Sequence, residues 1–571
     1  MKRSVLIILS FSLITLCSTL AYSQVPPSSQ GGAGAIQGQE EQLQKEHQLE
    51  EQIQTKKQSA QQAPTAENNA LPEGGQKTLV KQIDVRGVTL IKQSVIDNII
   101  INYEGKELTL KDMQKVCDLI TDEYRKKGYV TSRAYMPPQT ISKTEAILVI
   151  IVIQGKVGDI VIKGNKFFST NVYKQRLEMK PGEYFDYDAL QKALVEINDH
   201  PDRFVKVGLV PGTEQGTTDL IIEVQDRLPL HLSIENDNFG TRYMHYLRNT
   251  VTADDNNFTG HDDKLTFEYQ RSLGDYYSAP YISYTIPVNN RLNGGMYWQW
   301  SDSKLGKQYL PLDIKGKTSI GGPFVNYTLI DSDNVNFKIN AGYDYKRVIN
   351  FESGVENSRD EDRVLKAGFN LDTTDKFGRT VVTLEEDVGL LAGGLYAKDP
   401  LATEPGAGAR FQKLTGYVYR LQPMPFSSDI LWKNAFQYSN YDLLSLEQFQ
   451  LGGISNIRGY APDAYAGDSG VSTSFDWSFP LYFISKTVVV PGSKSTFYDA
   501  TRVVIFYDAG YASLHDPIAG NTPSETLQDI GYGLRFNLLE NFSGRVEVAY
   551  PLAPQNESGA PHLYWDFEKK F

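Results

Sequence analysis

Apolar and polar residues alternate with a period of two through most of the second half of the chain. In Arg502 to Tyr511 one face carries Val503, Ile505, Tyr507, Ala509 and Tyr511, and the other Arg502, Val504, Phe506, Asp508 and Gly510. Tyr532, Leu534, Phe536 and Leu538 alternate in the same way with Gly531, Gly533, Arg535 and Asn537. Phe475, Trp477 and Phe479 alternate with Ser474, Asp476 and Ser478, and Gly544, Val546, Val548 and Tyr550 with Arg545, Glu547 and Ala549. A last strand, with Leu563, Trp565, Phe567, Lys569 and Phe571 on one face, runs to the final residue. Apolar-out, polar-in alternation with aromatics near strand ends is what a lipid-embedded barrel requires, whereas a soluble sandwich would turn the apolar face inward. Residues 227–571 therefore read as a transmembrane antiparallel β-barrel. At ~20–24 residues per strand and loop, a segment of roughly 340 residues holds roughly 14 to 18 strands. The ring must close, because an open edge in lipid would leave backbone groups unpaired.

The pattern differs before residue 227. Ile83 and Val85 alternate in a strand that Gly87 ends, and Val95, Ile96, Ile99 and Ile100 share one face of a helix. Thr109 and Asp112 have the spacing of a capping box. Behind them Leu110, Met113, Cys117, Ile120 and Tyr124 recur at three- and four-residue spacing, which predicts a second helix with Cys117 as an inert core thiol. Tyr129 to Tyr135 and Ala146 to Ile153 close the module as strands. The same order then repeats: a strand with Ile160 and Ile162, a helix at Leu177, a helix with Ala189, Leu190, Ala193, Leu194 and Ile197, and strands over 204–210 and 218–224. Two small α/β modules, residues 79–154 and 155–226, follow from this repeat. Each would leave strand edges open, where an extended chain can add through backbone hydrogen bonds with little regard to its own sequence. The alternative is a pair of spacers.

Residues 1–23 have a basic start, an apolar run from Val5 to Leu20 and small residues at Ala21 to Ser23, the pattern of a removable signal peptide. Residues 24–78 contain a Gln/Glu/Lys-rich stretch at 39–62, with apolar points only at Leu43, Leu49 and Ile53, and then a Pro/Gly linker. A helix there is polar on nearly every side and cannot dock firmly on an apolar core. Two readings stand, a disordered leader and a mobile plug suited to a watery pore. The 571 residues carry a formal net charge of −12 and two cysteines, of which Cys17 falls in the signal segment. That leaves no internal disulfide and argues against a nucleic-acid partner, and export with only strands to cross a membrane points to a Gram-negative outer membrane. Seven histidines without metal-ligand spacing and the absence of a phosphate loop or nucleophile elbow point to no metal, no cofactor and no enzyme.

Several strings resemble a known family. Gly128-Tyr129-Val130-Thr131-Ser132-Arg133, followed by Pro137-Pro138-Gln139, resembles the first POTRA domain of TpsB-type two-partner secretion transporters (ShlB/FhaC/HecB-like). Asn198-Asp199-His200-Pro201-Asp202-Arg203 resembles their second, and Asn257-Phe258-Thr259-Gly260-His261-Asp262 the N-x-x-G-x-D of their early barrel. Gly453 to Tyr460, with Arg458-Gly459-Tyr460, resembles the R-G-F/Y loop of the BamA outer-membrane superfamily, which folds back into the lumen. Phe506-Tyr507-Asp508-Ala509-Gly510 resembles its F-x-x-D-x-G strand signature, and terminal Phe571 resembles the outer-membrane assembly signal.

The resemblance implies sixteen strands, an Arg458–Asp508 pair that pins the loop, and a translocation pore. The pore would take an unfolded adhesin- or hemolysin-like exoprotein through its POTRA domains and pass it across the outer membrane. Implied partners are that large exoprotein with its β-rich N-terminal secretion domain, outer-membrane lipid, and the barrel-assembly machinery during biogenesis. A BamA-like insertase and, further off, a small-solute channel are the alternatives. Glu352 to Arg363 departs from the pattern and reads as an exposed charged loop without a role.

Overall fold

The alternation closes into a ring of sixteen antiparallel strands in the computed structural model of the chain, which describes residues 32–54, 77–141, 146–332, 334–397, 399–462, 464–493, 495–539, 541–553 and 559–571. The signal segment, the linker and residues 55–62 lie outside the described residues. The first barrel strand, Leu230–Asp237, meets the last, His562–Lys570, through five residue pairs from Asp566↔Asp237 to Lys570↔Ser233. The terminal Phe571 amide donates to Leu232 O at 2.8 Å, so pairing continues to the last residue. No described helix is long and apolar enough to cross a membrane.

Two three-stranded modules precede the barrel. In the first, Ile147–Ile153 lies between a parallel neighbour, Gln82–Arg86, and an antiparallel one, Arg133–Tyr135. The helices Gln93–Ile100 and Leu110–Lys126 cover one face. Thr109 and Asp112 form the reciprocal capping box. Cys117 is fully buried among Met113, Ile120 and Leu148, and burial pushes its thiol up to about 12. The second module repeats the plan, with Thr217–Asp226 central between Lys156–Lys163 and Arg203–Pro211. The modules abut directly: Tyr187 N donates to Gly128 O at 2.9 Å, and Gly155 N to Ser132 Oγ at 3.0 Å. Gly128 sits at φ +84°, and a Cβ there would meet the carboxylates of Asp186 and Asp188 at 3.0 Å. The position thus needs glycine for both its turn and its neighbour.

Two expectations change. Glu352 to Arg363 is not a loop: Val335–Glu352 and Val355–Asp375 are strands of 18 and 21 residues joined at 353–354. A barrel strand needs about 9–11 residues to cross the bilayer, so this hairpin rises well beyond it, and its charges occupy ladder positions above the lipid. The polar helix is present but spans Ala33–Gln54, starting earlier than the 39–62 stretch. Its early residues Ala33, Gly34 and Ala35 carry no apolar period to read. The helix threads the lumen. Ala33 N donates to Asn350 Oδ1 at 2.9 Å near the outer end, and Ile53 O accepts from Arg379 at 3.3 Å near the inner one. Leu49 and Ile53 pack on Val381, Tyr419 and Leu431, and Leu43 lies against Phe239, Ile454 and Tyr564.

The closed ladder predicts heat-modifiable behaviour. The mature chain should need detergent to stay in solution and should run as a compact band on gels until boiled. Detergent-free solubility, or a single mobility at all temperatures, would be incompatible with the ring.

Candidate functional site in the barrel lumen

The loop over residues 440–468, between strands Ser428–Ser439 and Ser469–Pro480, folds back into the barrel. Gly452 and Gly453 turn it at φ +119° and +80°, values that favour glycine. Asn456 staples the turn, accepting from Gly452 N and donating to Gln450 O, both at 2.8 Å. This turn delivers Arg458 to the wall, where it is 2% exposed. Its Nε donates to Asp508 Oδ2 and its Nη2 to Asp508 Oδ1, both at 2.7 Å. Nη2 also reaches Asp476 Oδ1 at 2.6 Å and Ser474 Oγ at 2.9 Å, and Nη1 reaches Glu547 Oε2 at 3.0 Å. The guanidinium lies 3.4 Å above the centre of the Phe506 ring. Arg535 closes the network from the next strand, contacting Asp476 at 2.5 Å and Glu547 at 2.6 Å.

The neighbouring motif residues fit the same approach. Gly459 N donates to Asp529 Oδ2 at 2.6 Å, and a Cβ on Gly459 would meet Asp529 Cβ at 2.5 Å. A Cβ on Gly510 would meet Leu451 Cδ1 at 2.5 Å. The Tyr460 hydroxyl donates to Ala553 O at 2.7 Å, and Tyr460 O accepts from the Tyr564 hydroxyl at 3.1 Å. On the other side of the lumen the loop presents Glu447, fully buried, to Lys346 at 2.8 Å and Lys413 at 2.6 Å. The lumen helix lies on this loop: a Cβ on Gly34 would meet Ser445 Oγ at 2.4 Å, and one on Gly38 would meet Leu446 O at 3.0 Å. Ion pairs hold the helix to the wall, Glu40 with Arg248, Glu50 with Lys433 at 2.7 Å, and Glu41 with Lys346 at 3.5 Å.

A second constellation joins the small modules to the barrel. Asp262, in the turn after Arg248–Asp255, takes Arg203 on both oxygens, at 2.5 and 3.1 Å, and Arg176 at 2.6 Å. Arg203 also lies over Phe168 at 5.1 Å. Asp202, fully buried, accepts from Arg227 at 2.9 Å and Asn256 at 2.8 Å, and meets His231 Nε2 at 2.6 Å. Burial by itself would raise the Asp262 carboxyl; Arg203 and Arg176 outweigh it and hold the group below the usual range. Burial, helped by Arg203, holds His200 below the ordinary histidine value, so it is neutral at pH 7.

The sequence readings brought Arg458, Asp508, Phe506 and Gly510 to one wall, and the structure gathers them there. It spreads the pairing wider than one carboxylate. Asp476, Glu547 and Arg535 share the site, and each had been read only as a polar member of an alternating strand. The signal that could have found them is register: Asp476↔Phe506 and Gly533↔Glu547 make these strands sequential neighbours. Of the module motif residues, Gln139 acts on the backbone. Its side chain donates to Val149 O at 2.7 Å and accepts from Val149 N at 2.9 Å, covering part of the central strand. Tyr129 packs edge-on to Tyr124, Arg133 is exposed on its edge strand, and Pro137, Pro138 and Pro201 lie in the connecting turns. Among the described residues no group of three His, Cys, Asp or Glu side chains is placed to hold a metal ion.

Comparison with known proteins gives consistent matches. Residues 216–535 match the family described as haemolysin secretion/activation protein ShlB/FhaC/HecB, residues 78–155 a POTRA domain of ShlB type, and residues 155–225 a POTRA family described as surface antigen variable number repeat. The chain is 25% identical over 550 residues to the heme/hemopexin transporter protein HuxB of Haemophilus influenzae, covering 93% of each chain. It is 22% identical over 602 residues to the outer membrane transporter CdiB of Escherichia coli, covering 97% of this chain and 93% of that one. The solved structure of CdiB from Escherichia coli superposes with a TM-score of 0.70 at 20% identity, over 96% of this chain and all of that one, and shares its fold.

Two predictions follow from this geometry. Arg458→Ala would leave Asp476, Asp508 and Glu547 buried with Arg535 alone. The expected loss lies at the upper end of the ~3–5 kcal/mol of a broken buried pair. Asp508→Ala should cost less, because Arg458 keeps Asp476 and Glu547. The double variant should be no worse than Arg458→Ala, since one surplus negative charge goes with the second change. Denaturation midpoints and loop protease sensitivity, at matched membrane levels, test the ranking; equal or additive losses would refute it. Asp262→Asn should loosen the second module from the barrel while leaving heat-modifiability intact, read by spin-label distances between the two. Acidification should do the same. A depressed carboxylate contributes above its unfolded value near ~3.9 and loses that contribution as pH falls through the lower folded value. An unchanged distance distribution in both tests would mean the Asp262 pairs do not hold the module.

Proposed function

Because the chain belongs to the haemolysin secretion/activation protein family ShlB/FhaC/HecB, we propose how its parts divide the work of that family. It is an outer-membrane transporter that secretes a partner exoprotein, with its POTRA domains in the periplasm. The observation that carries the finer reading is the lumen itself: a closed ring filled by a polar helix and a salt-bridged loop, fed by two modules with open strand edges.

The POTRA pair captures the partner unfolded. Among the described residues Lys156–Lys163 and Arg203–Pro211 have no strand beyond them in their sheet, so an extended segment can add to either through its backbone. The partner is a large exoprotein with a β-rich N-terminal secretion domain, as the family resemblance implies; relatives are named a heme/hemopexin transporter and a hemolysin transporter. The lumen helix is a plug. Its hold rests on ion pairs and on glycine contacts with the loop more than on apolar docking, so it can leave the pore without exposing a large apolar face to water. The Arg458 network fixes the depth of the loop while the helix moves. Residues 1–23 act as the signal peptide and Phe571 as the assembly signal. Residues 24–78 form the helix and linker, 79–154 and 155–226 the two POTRA domains, and 227–571 the barrel.

The test compares the secreted proteins of the host with and without this chain, alongside planar-bilayer conductance of the protein lacking residues 24–54. One large exoprotein should vanish from the medium, and the truncated pore should conduct more than the intact one. An unchanged secretome would overturn the assignment of cargo, and unchanged conductance would overturn the plug.

A further inference from the structure

The long hairpin Val335–Glu352 and Val355–Asp375 has two faces with different surroundings. Lys346 and Asn350 point into the lumen, toward Glu41, Glu447 and Ala33. Alternation therefore turns Tyr345, Arg347 and Ile349 outward. Register extends that face across the neighbouring strands Lys315–Asp331 and Leu292–Lys304. One row is Trp298, Gly321, Tyr345 and Arg363; the next is Trp300, Ser319, Arg347 and Glu361; the third is Asp302, Lys317, Ile349 and Arg359. Below these rows the outward positions are apolar and exposed, with Met296, Val325, Ile339 and Leu365.

The turn at 256–263 is held by the periplasmic module, so the opposite end of each strand, where these rows lie, is the extracellular one. Trp298 and Tyr345 stack at 6.1 Å and mark the outer edge of the lipid band. Cations begin at that edge. Arg363 lies 5.5 Å over the Tyr345 ring. Arg347 and Arg363 share a single carboxylate, Glu361, at 3.9 and 3.2 Å, which leaves the trio net positive. Lys317 is exposed one row above, opposite Asp302 of the neighbouring strand, and Arg359 in that row is taken by Glu356 at 2.6 Å. Among the described residues of the other strands, the outward extracellular positions carry no cation apart from Arg271, which pairs with Asp275. Arg347, Arg363 and Lys317 therefore lie together on one arc of the rim.

We infer that this arc binds the phosphorylated headgroup of an acylated glucosamine lipid of the outer leaflet. Its acyl chains would lie on the apolar positions around Met296 and Leu365, and its sugars against Trp298 and Tyr345. Its phosphates would take the forks of Arg347 and Arg363 and the ammonium of Lys317. Planar guanidinium groups suit phosphate oxygens two at a time, and desolvation at the lipid edge strengthens such contacts relative to water. The occupant follows from continuity: the patch begins where the membrane-facing surface ends, on the side where that lipid presents its phosphates.

Native mass spectrometry of the full-length protein in detergent tests this, with bis-phosphorylated lipid A, its dephosphorylated form and phosphatidylglycerol offered at equal concentration. The bis-phosphorylated lipid should be retained about tenfold more than either of the others, a difference of about 1.4 kcal/mol. R347Q/R363Q should lose most of that retention, and R420Q, an outward arginine at the periplasmic end, should keep it. If R347Q/R363Q does not assemble, K317Q, which removes one of the three phosphate contacts, should lose part of that retention, and unchanged retention would overturn the inference. Equal retention of the dephosphorylated lipid or of phosphatidylglycerol would overturn the inference. So would retention that survives loss of the rim cations, or that falls equally in R420Q.

Discussion

A buried guanidinium cannot shed its charge, and much of the lumen is arranged around that constraint. Taking Arg458 out of water costs several kcal/mol unless carboxylates and hydrogen bonds replace the solvent. Here the replacements come from consecutive wall strands: Asp476, Asp508 and Glu547 accept, and Arg535 on the strand between the last two balances the surplus. The pairing is thus also a register device, because one loop residue reads three strands at once. Glu447, at another point of the same loop, reads two more through Lys346 and Lys413. The loop is a strut with a charged foot on each side of the pore. The helix rests on that strut through Gly34 and Gly38, where any side chain would collide with Ser445 or Leu446.

The same chemistry recurs at the periplasmic end. Asp262 gathers Arg176 and Arg203 from the second POTRA domain, and Asp202 of that domain receives Asn256 from the barrel turn, Arg227 from the connecting segment and His231 from the first barrel strand. The contact is reciprocal, with an acid and a base supplied from each side. An apolar interface of that size would tolerate sliding. Directed charge pairs fix the angle at which the module meets the ring, and so fix where its open strand edges lie relative to the pore mouth.

The fold was legible because its signals are periodic. Alternation in Arg502 to Tyr511 placed Asp508 on the inner wall without any structure, and three- to four-residue spacing placed Cys117 in a helix core. Sixteen strands needed the family resemblance, since length allowed a range. What stayed hidden was non-periodic or depended on register. Asp476, Glu547 and Arg535 are unremarkable polar positions until neighbouring strands are aligned, and Asp262 stood only as the last position of an early-barrel motif because its partners lie some sixty and eighty-six positions earlier. The run Glu352 to Arg363 was misread because dense charge suggests a loop. In fact Asp360 and Asp362 face the lumen while Arg359, Glu361 and Arg363 face outward, so the charge is ordinary alternation carried above the lipid.

These contacts differ in how hard they are to break, and the order bears on how a pore can open without the barrel failing. The strand ladder pairs backbone groups around the whole ring, and in lipid none of them can be released singly without a cost of several kcal/mol. The Arg458 network comes next: its members are buried, and losing one strands the others. The helix pairs differ among themselves: Glu40 and Glu50 are largely buried against Arg248 and Lys433, but Arg248 keeps Asp237 at 2.8 Å when the helix leaves. Glu41 is partly exposed and lies 3.5 Å from a lysine that Glu447 already holds at 2.8 Å. Its departure leaves Lys346 still paired and the loop still footed on both walls. Among the lumen contents the helix is therefore the piece whose removal disturbs the remaining charges least, and the loop is the piece whose removal disturbs them most.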